Sequence, residues 1–89
     1  MKAVRAKLQR FNRDNGWYFI TVPASISKTY QRHADRGLIA ISAKVGSEDW
    51  RTSMLPYGDG THFIPIPQRI RMKNNYKIGD TVEVKYELR

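Results

Sequence analysis

Cysteine is absent from the 89 residues, and with it go disulfides, zinc knuckles, iron–sulfur clusters and thiol nucleophiles. Long apolar runs are missing as well. The longest aliphatic stretch is Leu38 to Ile41, too short to cross a bilayer as a helix. Met1 to Phe11 alternates charged with small apolar residues and carries no secretory h-region, so a soluble, cytoplasmic protein without a membrane partner is expected. Histidine is confined to His33 and His62, without ligand-like spacing, which predicts neither a metal site nor a cofactor. No glycine-rich phosphate loop is present, because Gly58 and Gly60 precede a strand pattern rather than a helix.

Acidic residues are scarce too: eight Asp and Glu stand against sixteen Lys and Arg, for a formal charge of +8. Residues 1–44 hold nine of those cations and only Asp14 and Asp35 as acids, a balance of +7. Residues 45–89 hold seven cations and six acids, a balance of +1. A lopsided basic chain is a footprint of nucleic-acid or other polyanion binding, although solubility alone also selects for it. With 40% apolar and 27% charged residues, the composition is that of a single small globular domain over 1–89.

Patterning points to a mainly β chain. Val4, Ala6 and Leu8 alternate with Arg5, Lys7 and Gln9, the period of a half-buried strand, and Phe11 breaks the phase. Arg13-Asp14-Asn15-Gly16 predicts a hairpin turn into a strand from Trp17 to Val22. Pro23 opens a helix to about His33, with Gly37 expected as its C-cap. Strands follow at Leu38–Val45, Trp50–Leu55 and Thr61–Ile66, then a short helix from Pro67 to about Asn74. The final strand, Thr81–Leu88, places Val82, Val84, Tyr86 and Leu88 inward. About six strands and two helices result.

Two segments match at an offset of 44: Phe19-Ile20-Thr21-Val22-Pro23 over Phe63-Ile64-Pro65-Ile66-Pro67, each with an isoleucine three residues beyond the proline. A glycine turn and an apolar strand follow both. Neither half can bury its strands alone, so two strand–helix–strand units related by a pseudo-two-fold axis should close one β-barrel.

The run Thr61 to Arg71, followed by Lys77 to Val84, resembles the swapped-hairpin unit of AbrB- and MazE-type DNA-binding proteins. Those build one barrel from two chains; here one chain carries both units, which predicts a monomer. The whole chain more closely resembles a small prokaryotic family known as domain of unknown function nineteen-hundred-and-five. Its members are often joined to a YdeI/OmpD-associated domain. The resemblance rests on Gly16 to Pro23, Trp50 to Pro56, Gly58-Asp59-Gly60 and Gly79-Asp80. It implies a double-split β-barrel and no established activity.

Catalysis is not expected. The best triad-like set is Asp59 and His62 across a turn, with Ser53 or Thr61 nearby, and nothing resembling a nucleophile elbow accompanies it. Two binding readings stand. In the first, Lys28, Arg32 and Arg36 line one helical face at i, i+4 and i+8, Arg5 and Lys7 project from the first strand, and Arg69, Arg71 and Lys73 surround the second helix. These would hold phosphates, with Tyr18 and Tyr57 as stacking partners. In the second, Trp17, Trp50, Tyr57, Asp59 and His62 share one aromatic, glycine-rich end and hold a small ligand or an unidentified protein.

Overall fold

A computed structural model describes residues 1–12 and 16–89. The elements run β1 (Lys2–Lys7), β2 (Gln9–Arg10), β3 (Tyr18–Val22), α1 (Ala24–Tyr30), one 3₁₀ turn (Gln31–His33) and β4 (Ile39–Val45). They continue through β5 (Glu48–Pro56), β6 (His62–Pro65), α2 (Gln68–Lys73) and β7 (Thr81–Leu88). The antiparallel strand order is β1-β7-β4-β5-β6-β3-β2. All six expected strands are present, and the seventh, β2, is the end of the first, split off at Leu8.

That split nearly closes the barrel. β1 and β2 end the strand order on opposite sides, yet they are successive pieces of one strand, so the sheet returns on itself. Leu8 makes the corner and is buried. Its N–H donates to the Asp80 carbonyl at 2.8 Å, and its own carbonyl accepts from Gly79 N–H at 2.9 Å. β5 switches partner in the same way, pairing with β4 through Met54 and with β6 from Leu55. Two strands shared between two half-sheets make this a double-split barrel.

The repeat is visible in the register. Ile20 faces Ile64, its own equivalent, while Phe19 faces Pro65 and Thr21 faces Phe63, so a pseudo-dyad passes through the Ile20–Ile64 pair. Ala43 faces Tyr86 between β4 and β7, with Ile39 and Ile41 of one strand matching Val82 and Val84 of the other in burial. Both helices start after a proline whose carbonyl accepts two N–H groups: Ile26 and Ser27 on Pro23, Ile70 and Arg71 on Pro67. The repeat also extends a strand further back than the sequence match. Phe11 N–H donates to the Trp17 carbonyl at 3.0 Å, and Tyr57 N–H to that of Thr61 at 2.9 Å, so the β2–β3 and β5–β6 hairpins are equivalent.

Inward residues of β1 and β3 to β7, with Leu8 and Ile70 of α2, fill one core, in which Ile20, Ile39, Ile41, Met54, Ile64 and Ile70 are fully shielded. The opposite face of β3 and β6 carries a second, aromatic cluster. Phe11 stacks on Phe19 at 4.2 Å between ring centres, Phe63 meets both edge-on, and Tyr57 closes the set.

Several local expectations are corrected. Gly37 does not cap a helix. The α-helix ends at Tyr30, and Ala34 is already extended. Arg36 and Gly37, at φ +56° and +84°, form a two-residue turn between Asp35 and Leu38, which exchange both backbone hydrogen bonds. Leu88, expected inward, is 37% exposed at the end of β7. Trp17, expected to open the second strand, precedes β3 and is exposed. Glu48 and Asp49 belong to β5, so the preceding turn is only Gly46 and Ser47. The turn expected at Arg13-Asp14-Asn15 lies outside the described residues, although β2 and β3 on either side do pair.

Candidate functional site

Tyr18 opens β3 directly across from Arg10 of β2, and this register sets up an open groove beside α2. The Arg71 guanidinium, one helical turn beyond Pro67, sits 3.6 Å from the centre of the Tyr18 ring. Arg10 approaches the same ring at 5.6 Å, held partly by a hydrogen bond from its Nε to the Gly16 carbonyl at 3.4 Å. One phenol ring therefore organises two cations, an arrangement favoured by the negative π face. Arg71 Nε is buried and has no hydrogen-bond partner among the described residues.

Trp17 stands on the rim, 55% exposed. The groove between it and α2 has a volume of about 590 Å³, walled by Pro65 and Pro67 as well as by Arg10 and Arg71. It continues across Tyr18, Gln68 and Arg71 toward Met72, Tyr76, Lys77 and Ile78. Met72 and Ile78 are exposed like Trp17, as are Arg10 and Lys77, while Arg71 is half-buried. Among the described residues no Asp or Glu lines either stretch. An anionic group entering here meets positive charge already held in place, and no carboxylate of the described residues competes for it.

The dyad-related position has the same backbone and different chemistry. There His62 replaces Tyr18, Ser27 replaces Arg71 and Thr61 replaces Trp17. His62 is buried, and its Nε2 lies 3.0 Å from the Gly37 carbonyl. Ser27 is buried with no partner for its Oγ among the described residues. The Asp35–Leu38 turn lies over this side, and a Cβ placed on Gly37 would come within 3.2 Å of Pro56 Cγ. One groove is open and charged; its twin is shut.

The structure scatters the residues expected to carry function. Lys28, Arg32 and Arg36 are exposed but do not share a helical face, because α1 stops at Tyr30 and Arg36 lies in the turn. Arg5 and Lys7 project outward from β1, and Arg5 Nε pairs with Glu83 of the neighbouring strand at 2.6 Å. Of the three α2 cations, Lys73 is exposed, Arg69 donates to the Asp49 carbonyl at 3.1 Å, and Arg71 alone lines the groove.

The aromatic end does not assemble as expected either. Trp50, near the start of β5, and Tyr57, just past its end, lie seven residues apart, about 23 Å at the rise of a strand. Tyr57 joins the outer aromatic cluster, and Trp50 packs against the core. Asp59 and His62 do not meet. Asp59 accepts from both the hydroxyl and the N–H of Thr61, bonds that lower its pKa below the ordinary carboxylate value. His62 faces the barrel and Gly37 instead. No group of three or more His, Asp or Glu side chains converges on a common point among the described residues.

Arg10 and Lys77 are the groove cations that the sequence pattern did not single out. Arg10 could have been found, since pairing the two hairpin strands places it opposite Tyr18. At the far end of the barrel, Tyr30 meets Tyr86 edge-on at 6.1 Å with Lys2 above its ring. Burial, then a hydrogen bond with the Tyr30 hydroxyl, pushes the Tyr86 phenol up to about 12.

No helix of the described residues is long and apolar enough to cross a membrane. No curated protein matches the chain. A family model described as Domain of unknown function (DUF1905) matches residues 5–85, which takes in both halves of the repeat and all but the outermost residues of the barrel. The matched range spans the split strands, the paired proline-led helices and the groove beside α2, and the chain belongs to this family.

Proposed function

We propose that this barrel is a non-catalytic module that binds nucleic acid through the groove beside α2. One observation carries the reading: Arg71 is seated on Tyr18 with Arg10 on the same ring, an exposed Trp17 beside them and no carboxylate in the groove among the described residues. Arginine combined with an accessible aromatic face matches the phosphate-and-base chemistry of nucleic acids. The net charge of +8 supports it by drawing polyanions to the surface. The interface differs from a basic helical face built from Lys28, Arg32 and Arg36, which the end of α1 at Tyr30 does not provide. A ligand site spanning Trp50 to Gly60 is not favoured, because β5 separates Trp50 from Tyr57.

Fluorescence anisotropy with labelled DNA and RNA tests the reading. Binding should weaken by at least tenfold between about 50 and 200 mM salt, as expected when phosphates displace condensed counterions. Arg71→Met should cost a further factor of roughly ten at fixed salt, the scale of one charged hydrogen-bonding group. Absence of binding to any of these probes at low salt removes the proposal.

A further inference from the structure

Resting on the reading above, we infer that the groove takes a single strand rather than a duplex, with one unpaired base on Trp17 and the adjoining phosphate on Arg71. Trp17 is the only tryptophan whose indole is largely exposed, and it stands on the rim of the groove that Arg71 lines. A base can cover an indole face only when that face of the base is free, which interior bases of a duplex do not offer. Arg71 is held by the Tyr18 ring, so its orientation is set before any ligand arrives. Arg71 lines the groove with its Nε buried, which leaves the terminal guanidinium nitrogens as the donors for an oxyanion.

The length of the groove favours a polymer over a free nucleotide. Its first stretch, at about 590 Å³, is already within the size range of small-ligand pockets. A second stretch runs on past Tyr18 and Arg71 to Lys77. A strand entering at Trp17 would therefore meet Arg71 and then Lys77, cations in series along one path. Met72 and Ile78, exposed along that second stretch, offer apolar surface to a following base or sugar.

The test compares an oligothymidylate of about 12 nucleotides, a blunt mixed-sequence duplex of equal length and adenosine monophosphate. Binding is read by anisotropy for the oligomers, by titration calorimetry for adenosine monophosphate, and by tryptophan emission in a Trp50→Phe background for all three. The single strand should bind at least tenfold more tightly than the duplex and should quench Trp17. Trp17→Ala should lose roughly tenfold or more in single-strand affinity, the scale of one base–aromatic stack, while Trp17→Phe keeps most of it. Trp17 is exposed, so both variants should retain the parent's circular dichroism and melting temperature. Equal, salt-sensitive binding of single strand and duplex, unaffected by Trp17→Ala, would overturn the inference and leave the nucleic-acid reading intact. Adenosine monophosphate binding as tightly as the oligomer, with the same dependence on Trp17, would overturn it in favour of a nucleotide site. No binding of any probe would overturn both.

Discussion

The open groove beside α2 and its closed twin beside α1 are built on one backbone plan. Each has a proline-led helix, a strand that starts beneath it and a turn that returns the chain to the barrel. At the open site the strand begins with Tyr18 and the helix supplies Arg71, stacked 3.6 Å apart. At the closed site the same two positions are His62 and Ser27, both buried, with the Asp35–Leu38 turn laid over them. A duplicated fold thus provides two equivalent positions, and side chains leave one open and charged and the other filled. Symmetry of the backbone places both, and asymmetry of a few residues sets their chemistry apart.

Exchanging those residues should break the comparison most severely. Ser27→Arg puts a long cation where the native side chain is 1% exposed, and it should cost more than about 4 kcal/mol, or prevent folding outright. Arg71→Ser, the reverse exchange, removes a cation–π contact on a half-buried ring and should cost about 1 kcal/mol. Urea denaturation of both variants measures the contrast. Equal costs would mean that the two helices are not seated alike.

A smaller effect is expected at the cover of the closed site. Gly37→Ala forces a side chain into φ +84° and toward Pro56 Cγ, and about 1–2 kcal/mol should be lost. Gly58→Ala, at φ +103° but with open space around its Cβ position, should cost less, because only the backbone penalty applies. The two substitutions compared by thermal melting separate packing of the cover from strain.

Alkaline pH probes Tyr86, which faces Ala43 across the second dyad-related pair and has no aromatic twin. Its folded pKa of about 12 lies above the ordinary 10.0, so folding favours the protonated phenol. The corresponding stability is fully present below pH 10 and is lost as pH rises toward about 12. Denaturant unfolding across that window should show the decline, and Tyr86→Phe should remove this contribution to it. The smallest effect belongs to the Arg5–Glu83 pair. Both partners are well exposed, so a double-mutant cycle should give a coupling below about 1 kcal/mol that fades with added salt.

Much of the architecture was legible in the residues themselves. Strand alternation, prolines at both helix starts and the Phe19-to-Phe63 match led to a duplicated barrel, and the register through Ile20 and Ile64 bears it out. Less legible was the end of α1. Lys28, Arg32 and Arg36 have helical spacing, but spacing assumes a continuous helix, and Arg36 at φ +56° belongs to a tight turn with Gly37. The separation of Trp50 from Tyr57 follows from the strand expected between them, since an extended chain carries its ends apart. The Tyr18–Arg71 contact had no local signal at all. It joins residues 53 positions apart, and only the packing of α2 beside β3 brings them together. The proposed site depends mainly on that class of contact.

The corner at Leu8 bears on the order in which the molecule can form. β1 and β2 serve opposite ends of the strand order, and β1 finds its pairing partner in β7, with Lys2 opposite Tyr86. During synthesis β1 therefore has no strand to pair with until β7 has been made. The β2–β3 and β4–β5 hairpins can assemble early from nearby residues, whereas closure waits for β7. The groove beside α2 draws Arg10 from one side of that corner and Lys77 from the turn that docks on it. Ligand binding should accordingly appear with the final closing step of folding and should serve as its timer.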